Sequence, residues 1–255
     1  MKRILFACDL DNTLIYSSGK RVDGDICIEK IMEKEQGYIS LKTVEYLKEI
    51  NKKALFVPVT TRSIEQYLRI NWPEGCEPKY AITTNGGILL EDKKEAEEWK
   101  SLSSEVVKPY LEEYDRLLKD MQESGLFIRC RMVDGLYLFA YCADFTDGKE
   151  CEKAYRAKTK LRVVLSGRKL YVFPEEFQKG IAVERLAKML NADTVYSAGD
   201  SIIDLSMLLS SDQAFIPNGW LMKECKDLKA NVCPTGVRFS EFTVEKINEL
   251  IDENI

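Results

Sequence analysis

The chain contains no histidine among its 255 residues. That absence excludes Ser-His-Asp and Cys-His nucleophile pairs, imidazole-ligated zinc and the HExxH pattern. Acid–base chemistry has to run on carboxylates, lysines, tyrosines or cysteines. There is no basic excess either: 37 Lys and Arg stand against 42 Asp and Glu, a net charge of −5, which argues against a nucleic-acid partner. No apolar run approaches the ~18–20 residues that span a bilayer, so no membrane partner is expected. The apolar stretch from Ile4 to Cys8 is too short for a signal-peptide core. Eight cysteines form no CxxC pair, and no N-x-Ser/Thr sequon occurs. Disulfide frameworks mark small secreted chains, so these read as reduced thiols in a cytoplasm.

At ~100–200 residues per domain, the length suits one large domain or two modest ones. The run from Arg3 to Cys8 reads as a strand buried on both faces. Partial alternation at 26–33 suggests a small hairpin closing near Glu35-Gln36-Gly37. Ser40 caps a helix through Leu41, Val44 and Leu47, and Ser63 caps another through Tyr67. With strands at 54–59 and 80–84, the opening reads β-α-β-α-β, hence a parallel sheet. The pattern then changes. A helical stripe over 104–123 precedes two strands turning at Asp134-Gly135. A helix at about 147–161 precedes a second hairpin turning at Ser166-Gly167. Parallel alternation resumes with helix 180–190, strand 194–198, helix 202–209 and strand 214–216. The fold class is therefore α/β: a Rossmann-like, doubly wound parallel core, residues 1–86 and 175–255, interrupted by an αββαββ insertion at 87–174.

Polar clusters follow the strands, at the carboxyl ends where open parallel sheets place ligands. Asp9, Asp11, Asp200 and Asp204 would crowd four carboxylates together, and like charges at that range repel. Mg²⁺ resolves the conflict, being a hard cation bound by carboxylates and phosphate oxygens. Lys179 and Thr60 add a charge and a hydroxyl suited to a phosphoryl group. A calcium loop is excluded, because its sixth and twelfth positions are Leu14 and Lys20. A P-loop ending at Gly19-Lys20 fails because residue 14 is not glycine. Cys8 has no arginine six residues on, so it reads as core packing.

The ordered set Asp9-x-Asp11-x-Thr13, Thr60, Lys179-Gly180 and Gly199-Asp200…Asp204 resembles the haloacid dehalogenase (HAD) superfamily of phosphohydrolases. The inserted cap, its exit at Asn85-Gly86 and its return through GRKLYVFPEEFQKG are similar to the Cof-type and sucrose-phosphatase-like branch. The chain departs from that branch at Thr60-Thr61-Arg62, where Thr-Gly-Arg is usual, and at Ile203, where Asn is common. Which threonine meets phosphate stays open.

The resemblance implies a Mg²⁺-dependent phosphatase acting on a small phosphorylated metabolite, a sugar phosphate first. Asp9 would attack phosphorus, and Asp11, kept partly protonated by neighbouring acids, would shuttle the proton. Asp9, Asp200 and the Asp11 carbonyl would hold the ion, with Asp204 ordering the shell. Thr60 or Thr61, Arg62, Asn85, Gly86 and Lys179 would meet the substrate. A phosphomutase uses the same aspartyl-phosphate and is the alternative; a non-enzymatic phospho-acceptor fits less well. In the cap, residues 126–170 carry ten Lys and Arg against five Asp and Glu. Arg129 and Arg131 share one strand face there. They are expected to face the site and read a second anionic group or a polar head.

Overall fold

The computed structural model describes residues 2–254. Strand β1 (Ile4–Cys8) is buried along its whole length. A small antiparallel sheet follows, of β2 (Tyr16–Ser17), β3 (Ile26–Ile31) and β4 (Lys34–Ile39). Its hairpin turns at Met32-Glu33, both at positive φ, and not at the expected Glu35–Gly37. A two-residue turn of that hand matches the twist of the strands, and Met32 lies in solvent, where nothing opposes it.

Helix α1 (Leu41–Lys53) starts at Ser40, whose side chain accepts from the Thr43 N–H. It buries Val44, Leu47 and Ile50, while Leu41 is left exposed. Then come β5 (Leu55–Pro58), α2 (Ile64–Leu68) with a Ser63–Gln66 capping box, and β6 (Tyr80–Thr83). The border expected at residue 87 falls between two paired strands. β7 (Ile88–Glu91) runs antiparallel to β6, and β8 (Lys94–Glu95) pairs with β7. Trp99, on α3 (Glu97–Val107), donates to the Gly86 carbonyl and packs in the apolar cluster of Leu5 and Val57.

The stripe over 104–123 is split, because Pro109 cannot continue a helix. α3 ends at Val107, and α4 (Leu111–Glu123) begins after one 3₁₀ turn. The cap sheet has the order β11-β12-β10-β9, built from β9 (Phe127–Val133), β10 (Tyr137–Cys142), β11 (Arg162–Ser166) and β12 (Lys169–Phe173). Asp134 and Gly135 both take positive φ in the β9–β10 turn, as that turn requires. Between the hairpins lies α5 (Gly148–Arg156), shorter than expected. Thr159 beyond it bonds the Glu113 carboxylate and the Leu161 N–H, a local alternative to helix.

The chain re-enters the core through α6 (Lys179–Leu190), β13 (Thr194–Ala198), α7 (Leu205–Leu209) and β14 (Gln213–Ile216). It ends with α8 (Trp220–Glu224), β15 (Asn231–Val232) and α9 (Phe239–Asn254). The core sheet is parallel, in the order β15-β14-β13-β1-β5. Ile4, Phe6 and Cys8 join the cluster of α1 and α9, whereas Leu5 and Ala7 join that of α6 and α7. That period of two makes the sheet doubly wound. Chain order reverses between β1 and β13, which opens a crevice at their carboxyl ends.

A buried ion pair ties the small sheet to α9. Arg238 donates to both Asp25 oxygens, at 2.6 and 2.8 Å, and its guanidinium lies 4.2 Å over the Tyr16 ring. Asp25→Ala strands that guanidinium, and breaking such a pair costs about 3–5 kcal/mol. Urea unfolding is the measurement; a loss below about 1 kcal/mol, the size of an exposed pair, would show that this contact does not anchor the hairpin.

Candidate active site

The Asp9 N–H donates to the Ala198 carbonyl at 2.9 Å, so the β1–β13 ladder itself places Asp9 at the crevice. Asn12, at φ 66°, turns the chain back so that the Leu14 and Ile15 N–H groups reach the Leu10 carbonyl. Asparagine tolerates that left-handed conformation. Lys179 opens α6 with 0% exposure, and its Nζ lies 2.5 Å from both Asp9 Oδ1 and Asp204 Oδ1. Burial alone would lower the lysine; Asp204 and Asp9 instead hold it above its ordinary value. Gly180 is needed beside it, because a Cβ there would overlap the Ser206 carbonyl where α6 meets α7.

Asp204 spends its other oxygen on the loop, accepting from the Asp200 N–H (3.1 Å) and from the Ser201 N–H and hydroxyl (2.9 Å each). At Gly199 a Cβ would fall 2.5 Å from the Asp204 Cβ, so only glycine lets this loop close. Carboxylate oxygens of Asp9, Asp200 and Asp204 lie within 4.8 Å of one another. Burial, reinforced by Asp204, pushes the Asp200 carboxyl up to about 7, and burial also raises Asp9 against the pull of Lys179. One ammonium among three acids leaves negative charge over. The all-oxygen donor set fits a hard divalent cation, with Asp9 and Asp200 holding the free valences.

Asp11 does not join this cluster, contrary to the expected crowd of four. Its carboxylate is gripped by Arg62, Nε to Oδ2 at 3.0 Å and Nη2 to Oδ1 at 2.8 Å. Arg62 Nη1 also reaches Glu29 Oε2 at 2.9 Å, and buried Glu29 takes Arg69 as well. Burial would raise Asp11, but the Arg62 contacts hold it below its ordinary value. The expectation that neighbouring acids keep Asp11 partly protonated is therefore reversed: the acids raised by burial are Asp9 and Asp200.

Thr60 is buried, its Oγ1 accepting from the Arg62 N–H at 3.1 Å. Thr61 lines a cleft of about 550 Å³ between core loops and cap sheet. Asn85 and Gly86 lie away from that cleft. Asn85, 1% exposed, donates to the Phe177 carbonyl at 2.8 Å, and a Cβ on Gly86 would press Gln178 at 3.0 Å. Both brace the segment that leads into Lys179. Cys8 is fully buried, its thiol pushed up by burial, and donates to the Asp9 carbonyl.

Arg129 and Arg131 do face the cleft. With them come residues that the sequence reading missed: Glu29, Gln66, Arg69 and Lys169, and the rings of Tyr137, Phe139, Tyr141 and Tyr171. Period-two alternation carried part of that signal, since 129 and 131, 137 to 141, and 169 and 171 each keep one face. The pairing of those strands was not readable. Four hydrogen bonds seat the first cap hairpin over the core: Tyr137 Oη donates to the Thr61 carbonyl (2.6 Å), Arg131 to Gln66 Oε1 (3.2 Å), and the Ile64 N–H (3.1 Å) and the Thr84 hydroxyl (2.5 Å) to Asp134.

Comparison with known proteins agrees with this layout. The family model for sucrose-6F-phosphate phosphohydrolase matches residues 2–217. Among solved structures, the sucrose-phosphatase of Synechocystis sp., in complex with sucrose and phosphate, aligns at 15% identity and a TM-score of 0.67, covering 98% of this chain and 99% of that one. A haloacid dehalogenase-like hydrolase from B. subtilis aligns at 17% identity and a TM-score of 0.62, over 100% of both chains. A trehalose-6-phosphate phosphatase related protein aligns at 14% identity and a TM-score of 0.59, covering 99% and 100%. No curated protein sequence matches. At these identities the structures carry the fold, and the family model carries the membership: the chain belongs to the sucrose-6F-phosphate phosphohydrolase family of HAD phosphatases.

Proposed function

We propose that this protein is a Mg²⁺-dependent phosphohydrolase that cleaves the phosphate monoester of a small sugar-like metabolite through an aspartyl-phosphate on Asp9. The observation that carries this is the buried Lys179–Asp9 contact beside Asp200, at the switch point of the sheet. An ammonium held against a carboxylate there leaves one Asp9 oxygen directed by charge and the other for attack. Asp9 and Asp200 would hold Mg²⁺, which supplies charge neutralisation for an incoming phosphate dianion.

Asp9 forms a bond to phosphorus as the bond to the leaving oxygen breaks, and Asp11 protonates that oxygen. Asp11 then takes the proton of the water that hydrolyses the acyl phosphate, and Asp9 is restored. Lys179, Thr60 or Thr61 and backbone N–H groups after Asp9 meet the equatorial oxygens. Arg62 opposes the first proton transfer, because it favours ionised Asp11; the carboxyl has to leave the guanidinium to act as acid. The eight free thiols fit a reducing cytoplasm; among the described residues no helix is long and apolar enough to cross a membrane.

Phosphate release from a panel of sugar and non-sugar phosphoesters tests the reading. Turnover is expected only with Mg²⁺, and Asp9→Asn should reduce it to background while keeping the fold. Wild-type rates in Asp9→Asn would end the proposal. General acid catalysis is typically worth ~10²–10⁴-fold, so Asp11→Asn should slow phosphorylation by a sugar phosphate by that order. The loss should be smaller with p-nitrophenyl phosphate, whose leaving group departs without a proton; equal losses would remove the role.

The Arg62 grip is checked by carbon-detected carboxylate titration in protein stripped of divalent cations. Asp11 should titrate below its ordinary value and Asp200 near 7. Arg62→Gln should move Asp11 upward, because it removes the contacts that favour the ionised form; an unmoved Asp11 would refute the assignment.

A further inference from the structure

The two walls of the cleft differ in how their cations are compensated. On the core side Arg62 is committed to Asp11 and Glu29, and Arg69 to Glu29. On the cap side stand Arg129, Arg131 and Lys169; among the described residues none of them forms an ion pair, and Lys169 acts on Asp11 only through space, helping to lower it. Arg131 Nη2 meets only the neutral Gln66 amide, and its Nε is buried with no partner. Arg129 lies over the Phe139 ring at 5.6 Å. Elsewhere in the basic half of the cap, Arg156, Lys158, Arg162 and Arg168 each pair with an acid. Lys149, Lys153 and Lys160, which among the described residues also pair with no acid, are exposed and lie outside the cleft, whereas Arg129, Arg131 and Lys169 line it together.

The strand register explains how three cations from two strands converge. On β10, Tyr141 is flanked by Arg129 of β9 and Lys169 of β12, and Phe139 by Arg131 and Tyr171. Neighbouring strands lie ~4.8 Å apart, so each row spans ~10 Å, and long side chains close that gap. Tyr137, at the end of the same face, touches the Thr61 carbonyl beside the reaction centre. The row of Arg129 and Lys169 begins about two alternations, or ~13 Å, further along β10. In the proposed reaction the transferred phosphoryl is met by Lys179 and by the cation that Asp9 and Asp200 would hold; Lys169 acts on Asp11 only through space, and Arg129 and Arg131 have no part there. Like charges held together repel, and a cleft lined by one sign concentrates the opposite charge.

We propose that the part of the substrate that leaves carries a second acidic group, a carboxylate or another phosphoryl, seated against Arg129, Arg131 and Lys169. Its carbon skeleton lies on Phe139 and Tyr171. This rests on the phosphatase reading of the same site and narrows it: a neutral sugar phosphate leaves the three cations unpaired.

The test compares glucose 6-phosphate, 6-phosphogluconate and fructose 1,6-bisphosphate by calorimetric binding to the full-length Asp9→Asn protein, which does not turn them over. A hydrogen-bonded charge contributes ~1.5–3 kcal/mol, so at least one acid-bearing compound should bind about tenfold or more tightly than glucose 6-phosphate. The carboxylate and phosphoryl arms identify which acid is read. In Arg129→Gln/Lys169→Gln on the same background that ratio should fall to within about twofold. A ratio compares ligands on one protein, so a general loss of folding does not mimic the result. Equal binding of all three compounds, or a preference that survives both substitutions, overturns the proposal. A preference that appears and vanishes as expected, with no phosphate released from any compound by wild type, supports the anion site and instead rejects the phosphatase reading.

Discussion

The Lys179 ammonium lies 2.5 Å from two carboxylates and out of reach of water. Removing an ammonium from water costs several kcal/mol, so Asp9 and Asp204 must be in position before the lysine is tolerated. Those partners lie 170 and 25 residues away along the chain. One contact therefore fixes the end of β1, the start of α6 and the loop after β13 against each other. Gly180 and Gly199 follow from the same constraint: Gly180 lets α6 approach the Ser206 backbone, and Gly199 leaves room for the Asp204 side chain. Asn85 and Gly86 brace the segment from behind, through the Phe177 carbonyl and the close approach to Gln178.

Asp11 belongs to a different electrostatic unit. Glu29, from the hairpin after β1, receives two arginines, one of which grips Asp11. The acid cluster and the Arg62 cluster thus divide the motif between them: Asp9 faces the excess of negative charge, and Asp11 faces positive charge two residues later. That division gives two carboxylates of one motif opposite electrostatic surroundings, in a chain with no imidazole.

The first cap hairpin meets the core at the loop after β5 and, through Asp134, at Thr84. Residues 60–66 carry Thr60 and Arg62, and the same stretch receives Tyr137, Arg131 and Asp134 from the first cap hairpin. The Gln66 amide oxygen serves both the capping box of α2 and Arg131. Any shift of the β9–β10 hairpin is therefore felt by the loop that carries Thr60, Thr61 and Arg62, beside Asp11.

Much of the centre was legible because local signals and strand ends coincide. Asp9, Thr60 and Asp200 each sit where an apolar run stops, Lys179 opens a helix, and Ser40, Ser63 and Asp134-Gly135 announce a cap or a turn by residue type alone. What the chain by itself determined was the doubly wound core, the presence of an inserted sheet and the residues at its strand ends. The return of β7 onto β6, the pairing of Asp11 with Arg62 across 51 residues, and the meeting of Arg129 with Lys169 around Tyr141 were decided by the tertiary structure. The reason is common to all three. Periodicity reports which way a side chain faces, but charge compensation and strand pairing act through space, and a count of acids and bases does not say which of them meet.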